Sequence, residues 1–213
     1  MPCIAKTGTN AKKKTLRSSQ AKTERVQKLR MEYWQQVKQI DPENLVFIDE
    51  MGVLLGLTPT HARSQKGTRV YGFQPFYRGA KVTVIGAVSI SQVLAVMTLN
   101  GSMNGEAFKV FIEQCLLPQL WTGAVVVMDN LPAHKVKEIE PLIESVGARV
   151  LYQSPYSPDF NPIEHWWSQL KTFLRDFSPH TAKMVDILIA TALDLFNPEH
   201  LKNWFTNCCY CTS

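Results

Sequence analysis

The sequence predicts an α/β protein, a mixed five-stranded sheet flanked by helices. Three observations predict it. Apolar runs at 45–48, 81–90 and 93–99 succeed one another as strands, which suits an antiparallel meander. Runs at 124–128 and 149–152 alternate with helix-patterned segments, which suits parallel crossovers. The runs at 45–48 and 124–128 are continuously apolar, the pattern of strands buried on both faces.

Each element has its own signal. Residues 1–20 lack apolar periodicity and read as an arm. From Ala21 to Ile40, the residues Val26, Leu29, Tyr33, Val37 and Ile40 recur at steps of three and four, one face of an amphipathic helix, and Asp41-Pro42 ends it. The strand at 45–48 is expected to stop on Asp49-Glu50. A Gly- and Thr-containing stretch follows, read as a hairpin with Arg63, Lys66 and Arg69 near its end. After the two β-rich runs, Asn104 caps a helix carrying Phe108, Phe111, Ile112, Cys115 and Leu116. The run ending at Met128 closes on Asp129-Asn130. Pro132 to Val146 is helical in pattern, ends at Gly147, and should be bent or broken at Pro141. A turn-rich linker from Ser154 to Pro162 leads into a helix carrying Ile163, Trp166, Trp167, Leu170, Leu174 and Phe177. A last helix is expected from about Ala182 to Phe196.

Composition narrows the function. An apolar share of 45 % over 213 residues, with 19 % charged, excludes a chain disordered throughout, a collagen-like repeat and a coiled coil. No window reaches the roughly 18 apolar residues of a membrane helix, and the N-terminus has no apolar signal segment, so a soluble, cytoplasmic chain with no membrane partner is expected. The formal charge of +5 is unevenly placed, with +8 in residues 1–30 and −3 in residues 31–213. A basic arm on a slightly acidic body points to a polyanion partner; a solvated tail is the alternative. Cys208, Cys209 and Cys211 crowd the C-terminus, with His200 nearby in sequence, but no paired two-residue spacing supports a zinc site.

Two buried-strand runs each end on a carboxylate, Asp49 and Asp129. Ligands of open α/β sheets collect outside the carboxyl ends of strands, so neighbouring parallel strands would project both acids into one crevice. A turn or cap role is the alternative for each. Glu164 is the third candidate, with two readings. Asn161 as N-cap, Pro162 at N1 and Glu164 at N3 make a capping box; alternatively, the first helical turn places Glu164 rigidly as a metal ligand. Three convergent carboxylates would need a cation, and hard oxygen ligands suit Mg²⁺ or Mn²⁺. Two such ions serve phosphodiester displacement, which beside a basic arm is a nuclease-like arrangement.

Four segments carry a resemblance: VFIDE at 46–50, GSMNGEAF at 101–108, VVVMDNLPAHK at 125–135 and LYQSPYSPDFNPIEHWWSQLK at 151–171. They resemble the catalytic domain of DDE transposases, specifically the bacterial insertion-sequence branch of the mariner superfamily. Asp129 and Glu164 are separated by 34 residues, the spacing of that branch. The resemblance runs from about Ala21 to the C-terminus. It implies a ribonuclease-H-like fold, with Asp49, Asp129 and Glu164 as catalytic, metal-binding triad for Mg²⁺ or Mn²⁺, two ions in all. It implies water attack on a phosphodiester at an element end, then attack of the freed 3′-hydroxyl on target DNA. Partners implied are transposon-end and target DNA and a second copy of the chain on that DNA.

Relatives of this branch begin with a helix-turn-helix DNA-binding region, and nothing of that length precedes the catalytic domain here. Residues 1–20 resemble only the tail of such a region, and residues 21–213 the catalytic domain. The chain is therefore expected to be the downstream product of a split or frameshifted gene, partnered by an upstream helix-turn-helix polypeptide, or a truncated copy.

The remaining candidates have milder signals. Lys12, Lys13, Lys14 and Arg17 in the arm, and Arg63, Lys66 and Arg69 in the expected hairpin, are candidate phosphate contacts. His134 is a candidate DNA contact or carboxylate orienter, with simple packing as the alternative. Glu50 should point away from Asp49 and stays outside the triad. Trp166 and Trp167 read as core contacts, or as one core ring and one base-stacking ring.

Overall fold

Alternation along one strand explains how the chain supports two cores. In β1 (Leu45–Leu54), Leu45, Phe47, Met51 and Val53 face one way, and Val46 and Ile48 the other. The computed structural model describes residues 19–59, 62–72, 80–131, 134 and 137–211. The arm residues Lys12, Lys13, Lys14 and Arg17 lie outside them.

The other strands are β2 (Lys81–Val88), β3 (Val93–Asn100), β4 (Val125–Met128) and β5 (Arg149–Tyr152). They form one mixed sheet in the order β3-β2-β1-β4-β5. The first three pair antiparallel as the meander expected, and β4 and β5 add in parallel. A tight turn joins β2 to β3, with the Ser89 N–H donating to the Gln92 carbonyl at 2.9 Å.

Helices cover both faces. One face carries α1 (Glu24–Val37), α4 (Ile163–Phe177), α5 (Ala182–Asp194) and α6 (Glu199–Asn207). The other carries α2 (Gly105–Val110), the π-helical turn Phe111–Leu116 that continues it, and α3 (Ile139–Glu144). The Asn104 side chain caps α2 by accepting from the Ala107 N–H at 2.8 Å, as expected. No helix among the described residues is long and apolar enough to cross a membrane.

Four expectations are corrected. β1 does not stop on Asp49-Glu50; antiparallel pairing with β2 carries it on to Leu54. The stretch at 62–72 forms no strand, only a turn at Gln65–Thr68 closed at 3.1 Å, with Gly67 at a φ of 89° that favours glycine. Pro141 does not bend α3. It sits in the first turn, where its missing N–H has no helical partner to lose, so the helix simply starts late. Beyond the last expected helix lies α6, opened by Pro198 and by Asn197, whose side chain accepts from the Glu199 N–H at 3.0 Å. Its Leu201 and Phe205, four residues apart, are fully buried.

Candidate active site

The parallel ladder of β1 and β4 pairs Leu45 with Val125, Val46 with Val126 and Phe47 with Val127. Two residues further along each strand stand Asp49 and Asp129. Side chains two apart share a face, so Asp49 continues the face of Phe47, the one covered by α4, whereas Asp129 follows the last residue of β4 and sets its carboxylate against His134. β4 ends at Met128 while β1 runs on to Leu54, so the sheet steps at the candidate site. The two acids do follow neighbouring parallel runs, with Asp49 in mid-strand rather than at its end.

Helix α4 brings the third carboxylate. Trp167 reaches back to the sheet and donates its indole N–H to Asp49 Oδ2 at 3.1 Å. Glu164 lies one helical turn earlier on α4, the same side of the helix. Asp49 is pushed up to about 7, first by burial and next by the negative charge of Glu164, against hydrogen bonds from the Glu50 N–H and Trp167 that favour its ionised form. Glu164 itself is exposed at the helix N-terminus.

The capping box does not form. The Asn161 carbonyl accepts from the Glu164 N–H at 3.2 Å, which is the backbone half of a cap. But the Asn161 N–H goes to the Pro158 carbonyl at 3.1 Å, and Asn161 Oδ1 is buried without a hydrogen-bond partner. The Glu164 side chain therefore makes no capping hydrogen bond to Asn161, and the capping-box reading is set aside.

The loop that delivers Glu164 is fastened at several points. Asn130, beside Asp129, donates to the Gln153 carbonyl at 2.9 Å, and Gln153 donates to the Ser157 carbonyl at 3.0 Å. Arg30 of α1 grips the next residues with a two-bond pair to Asp159 at 3.0 and 2.7 Å and a bond to Ser157 Oγ at 2.7 Å. Its guanidinium also stands 4.2 Å from the centre of the Phe160 ring. Tyr210 adds a bond to the Phe160 carbonyl at 2.6 Å and meets Tyr33 Oη at 2.8 Å.

Gly86 of β2 is paired with Asp49. A Cβ there would stand 2.7 Å from rings of both Trp166 and Trp167, so the glycine lets α4 sit close against the sheet beside Asp49. Both tryptophans are buried, stacked on each other at 4.6 Å; neither ring is available to a base.

His134 is also fully buried, and an enclosed ring offers no surface for the DNA contact expected of it. Its Nδ1 lies 2.6 Å from Asp129 Oδ1, and its Nε2 lies 3.3 Å from Glu50 Oε2. Burial alone would lower the imidazole, but the hydrogen bond to Asp129 and then the Glu50 carboxylate override it and push it up to about 10. Glu50 is on the opposite face from Asp49, as alternation requires. Asp129 Oδ1 also accepts from the Leu131 N–H at 3.0 Å; among the described residues no contact falls on Oδ2.

Arg63, Lys66 and Arg69 are exposed and, among the described residues, in no ion pair. The described cysteines are all free thiols, Cys208 buried and Cys209 exposed. Among the described residues no three His, Cys, Asp or Glu side chains stand at metal-holding distance, in the C-terminal cluster or in the crevice. The crevice nonetheless fits a divalent cation by its chemistry. Its candidate ligands are hard carboxylate oxygens of one charge, and neither Asp49 nor Glu164 has a Lys or Arg partner among the described residues.

Comparison with known proteins settles the family. The profile of the DDE superfamily endonucleases matches residues 44–185, most of the chain, including all three acids. The chain belongs to the DDE superfamily of endonucleases. No curated protein matches it. Among solved structures, the Mos1 transposase paired-end complex with left transposon end is similar at a TM-score of 0.75 and 14 % identity, over 95 % of this chain and 64 % of that one. The Mos1 mariner paired-end complex with Mn gives 0.72 and 16 % over the same shares. The catalytic domain of Mos1 mariner transposase gives 0.64 and 14 %, over 87 % of this chain and 89 % of that one. The chain thus spans less than two thirds of the Mos1 chains in those complexes, and the fold it shares with them is the ribonuclease-H-like one that the resemblance implied.

Proposed function

We propose that the chain is the catalytic domain of an insertion-sequence DNA transposase of the mariner superfamily, which cuts and joins DNA strands with Mg²⁺ or Mn²⁺. One observation carries the reading. Asp49 and Asp129 stand at matching positions of adjacent parallel strands, and α4 sets Glu164 within electrostatic reach of Asp49.

Asp49, Asp129 and Glu164 would hold the ions, expected to be two. When bound, such ions activate the attacking oxygen and stabilise the leaving one in phosphodiester displacement. The protein's own part is positional. Trp167 fixes one oxygen of Asp49, His134 and the Leu131 N–H fix one oxygen of Asp129, and the Arg30-clamped loop fixes the start of α4. The exposed Arg63, Lys66 and Arg69 and the basic arm would contribute phosphate contacts that weaken with salt. The Mos1 assemblies are paired-end complexes, which supports a dimer on DNA here. An upstream helix-turn-helix polypeptide would supply recognition of the element ends.

The test is one labelled duplex carrying the element end, assayed with Mg²⁺ and with Mn²⁺ for both nicking and strand joining. Both products are expected. Nicking alone would make the chain a structure-specific nuclease of this fold. Neither product would leave a DNA-binding or dimerisation protein derived from a transposase.

A further inference from the structure

We propose that His134, backed by Glu50, is a positioning residue that fixes the rotamer of the Asp129 carboxylate. The inference rests on the reading of Asp129 as a metal ligand and deepens it. Glu50, His134 and Asp129 form a continuous line from the far face of β1 to the crevice. His134 Nδ1 meets Asp129 Oδ1 at 2.6 Å and the Asp129 carbonyl at 3.2 Å. On the other side of the ring, Nε2 meets Glu50 Oε2 at 3.3 Å; neither atom has a hydrogen-bond partner besides this ion-pair contact. The imidazole is fully enclosed and lies against the Phe108 ring at 4.3 Å between centres.

This arrangement differs from that of a packed core histidine. A histidine kept only for its volume would satisfy its nitrogens on nearby backbone, and no glutamate would be needed behind it. Here a strand residue places a carboxylate oxygen, costly to bury, against the second nitrogen. The ring is thus pinned at both ends, and of the two Asp129 carboxylate oxygens it meets Oδ1. Oδ2 has no contact among the described residues and is left for a ligand, and Asp129 is spared a search among rotamers when it takes one up. A partner that orients a metal-binding side chain is typically worth ~10–100-fold in metal affinity or activity.

The experiment measures Mn²⁺ affinity of the DNA-free protein, alongside kcat and KM for nicking, in wild type, His134→Ala, His134→Asn, Glu50→Ala and the double variant His134→Ala/Glu50→Ala. Asparagine can place its amide N–H near the position of imidazole Nδ1. Expected results are ~10–100-fold weaker Mn²⁺ binding and lower kcat in His134→Ala at unchanged KM for DNA, with most of the loss recovered in His134→Asn. Glu50→Ala should give a smaller loss that adds nothing in the His134→Ala background, because the two act in series. If His134→Ala does not fold, Glu50→Ala and His134→Asn still decide the matter. Wild-type Mn²⁺ affinity in Glu50→Ala together with His134→Ala, or additive losses, would overturn the proposal; so would a wild-type protein that binds no Mn²⁺. A wild type that binds Mn²⁺ with the expected variant pattern, yet cuts no DNA, would sustain the positioning role while defeating the transposase reading.

Discussion

Asp129→Asn is expected to leave the fold intact and to reduce cleavage by about 10³-fold or more. The amide keeps the shape of the carboxylate, and its carbonyl oxygen can still accept from His134 and from the Leu131 N–H as Oδ1 does now. What it loses is the negative charge and the acidic character of the second oxygen, which has no contact among the described residues. Amide oxygens bind divalent cations far less strongly than carboxylates, so the substitution removes cation affinity rather than architecture. Circular dichroism and thermal melting check the first half of the expectation, and nicking of a labelled duplex the second. The Asp129 side chain is 41 % exposed, but it is the main partner that holds buried His134 in its charged form, so a lowered melting temperature with the fold retained is expected.

Gly86→Ala is expected to damage both stability and the site with a single methyl. The added Cβ would meet the rings of Trp166 and Trp167 at 2.7 Å, and both rings are buried and stacked with nowhere to withdraw. Overpacking of this kind costs about 1–3 kcal/mol or more, and α4 must shift away from the sheet to relieve it. That shift moves Trp167 off Asp49 and carries Glu164 with it, since both ride on α4. A lowered melting temperature and a loss of cleavage larger than the stability loss explains are both expected. A variant with wild-type stability and cleavage would show that α4 does not need its close approach.

The β-strands were legible because their signal is local: continuous apolar runs at 45–48 and 125–128 are buried on both faces as such runs require. The end of β1 was not legible, because its last residues are held by partners in β2, more than 25 residues away in sequence. Asp49 and Asp129 could be paired from their matching positions after similar runs, whereas Glu164 could not be separated from a helix cap by pattern alone. What sets the capping box aside is the Asn161 N–H, whose partner is the Pro158 carbonyl. Gly86 carried no sequence signal at all, since its requirement comes from two indole rings approaching across the sheet. His134 was legible as a candidate but not in its role, which depends on Glu50 reaching it from a strand 84 residues earlier.

The central claim is that Asp49, Asp129 and Glu164 share one divalent-cation site. Replacing Mg²⁺ by Fe²⁺ and generating hydroxyl radicals with ascorbate cuts a polypeptide next to wherever the ion sits. Three cuts are predicted, near residues 49, 129 and 164, all suppressed by excess Mg²⁺ and all lost in Asp129→Asn. Cuts elsewhere, or cuts at these positions that persist in Asp129→Asn, would contradict it.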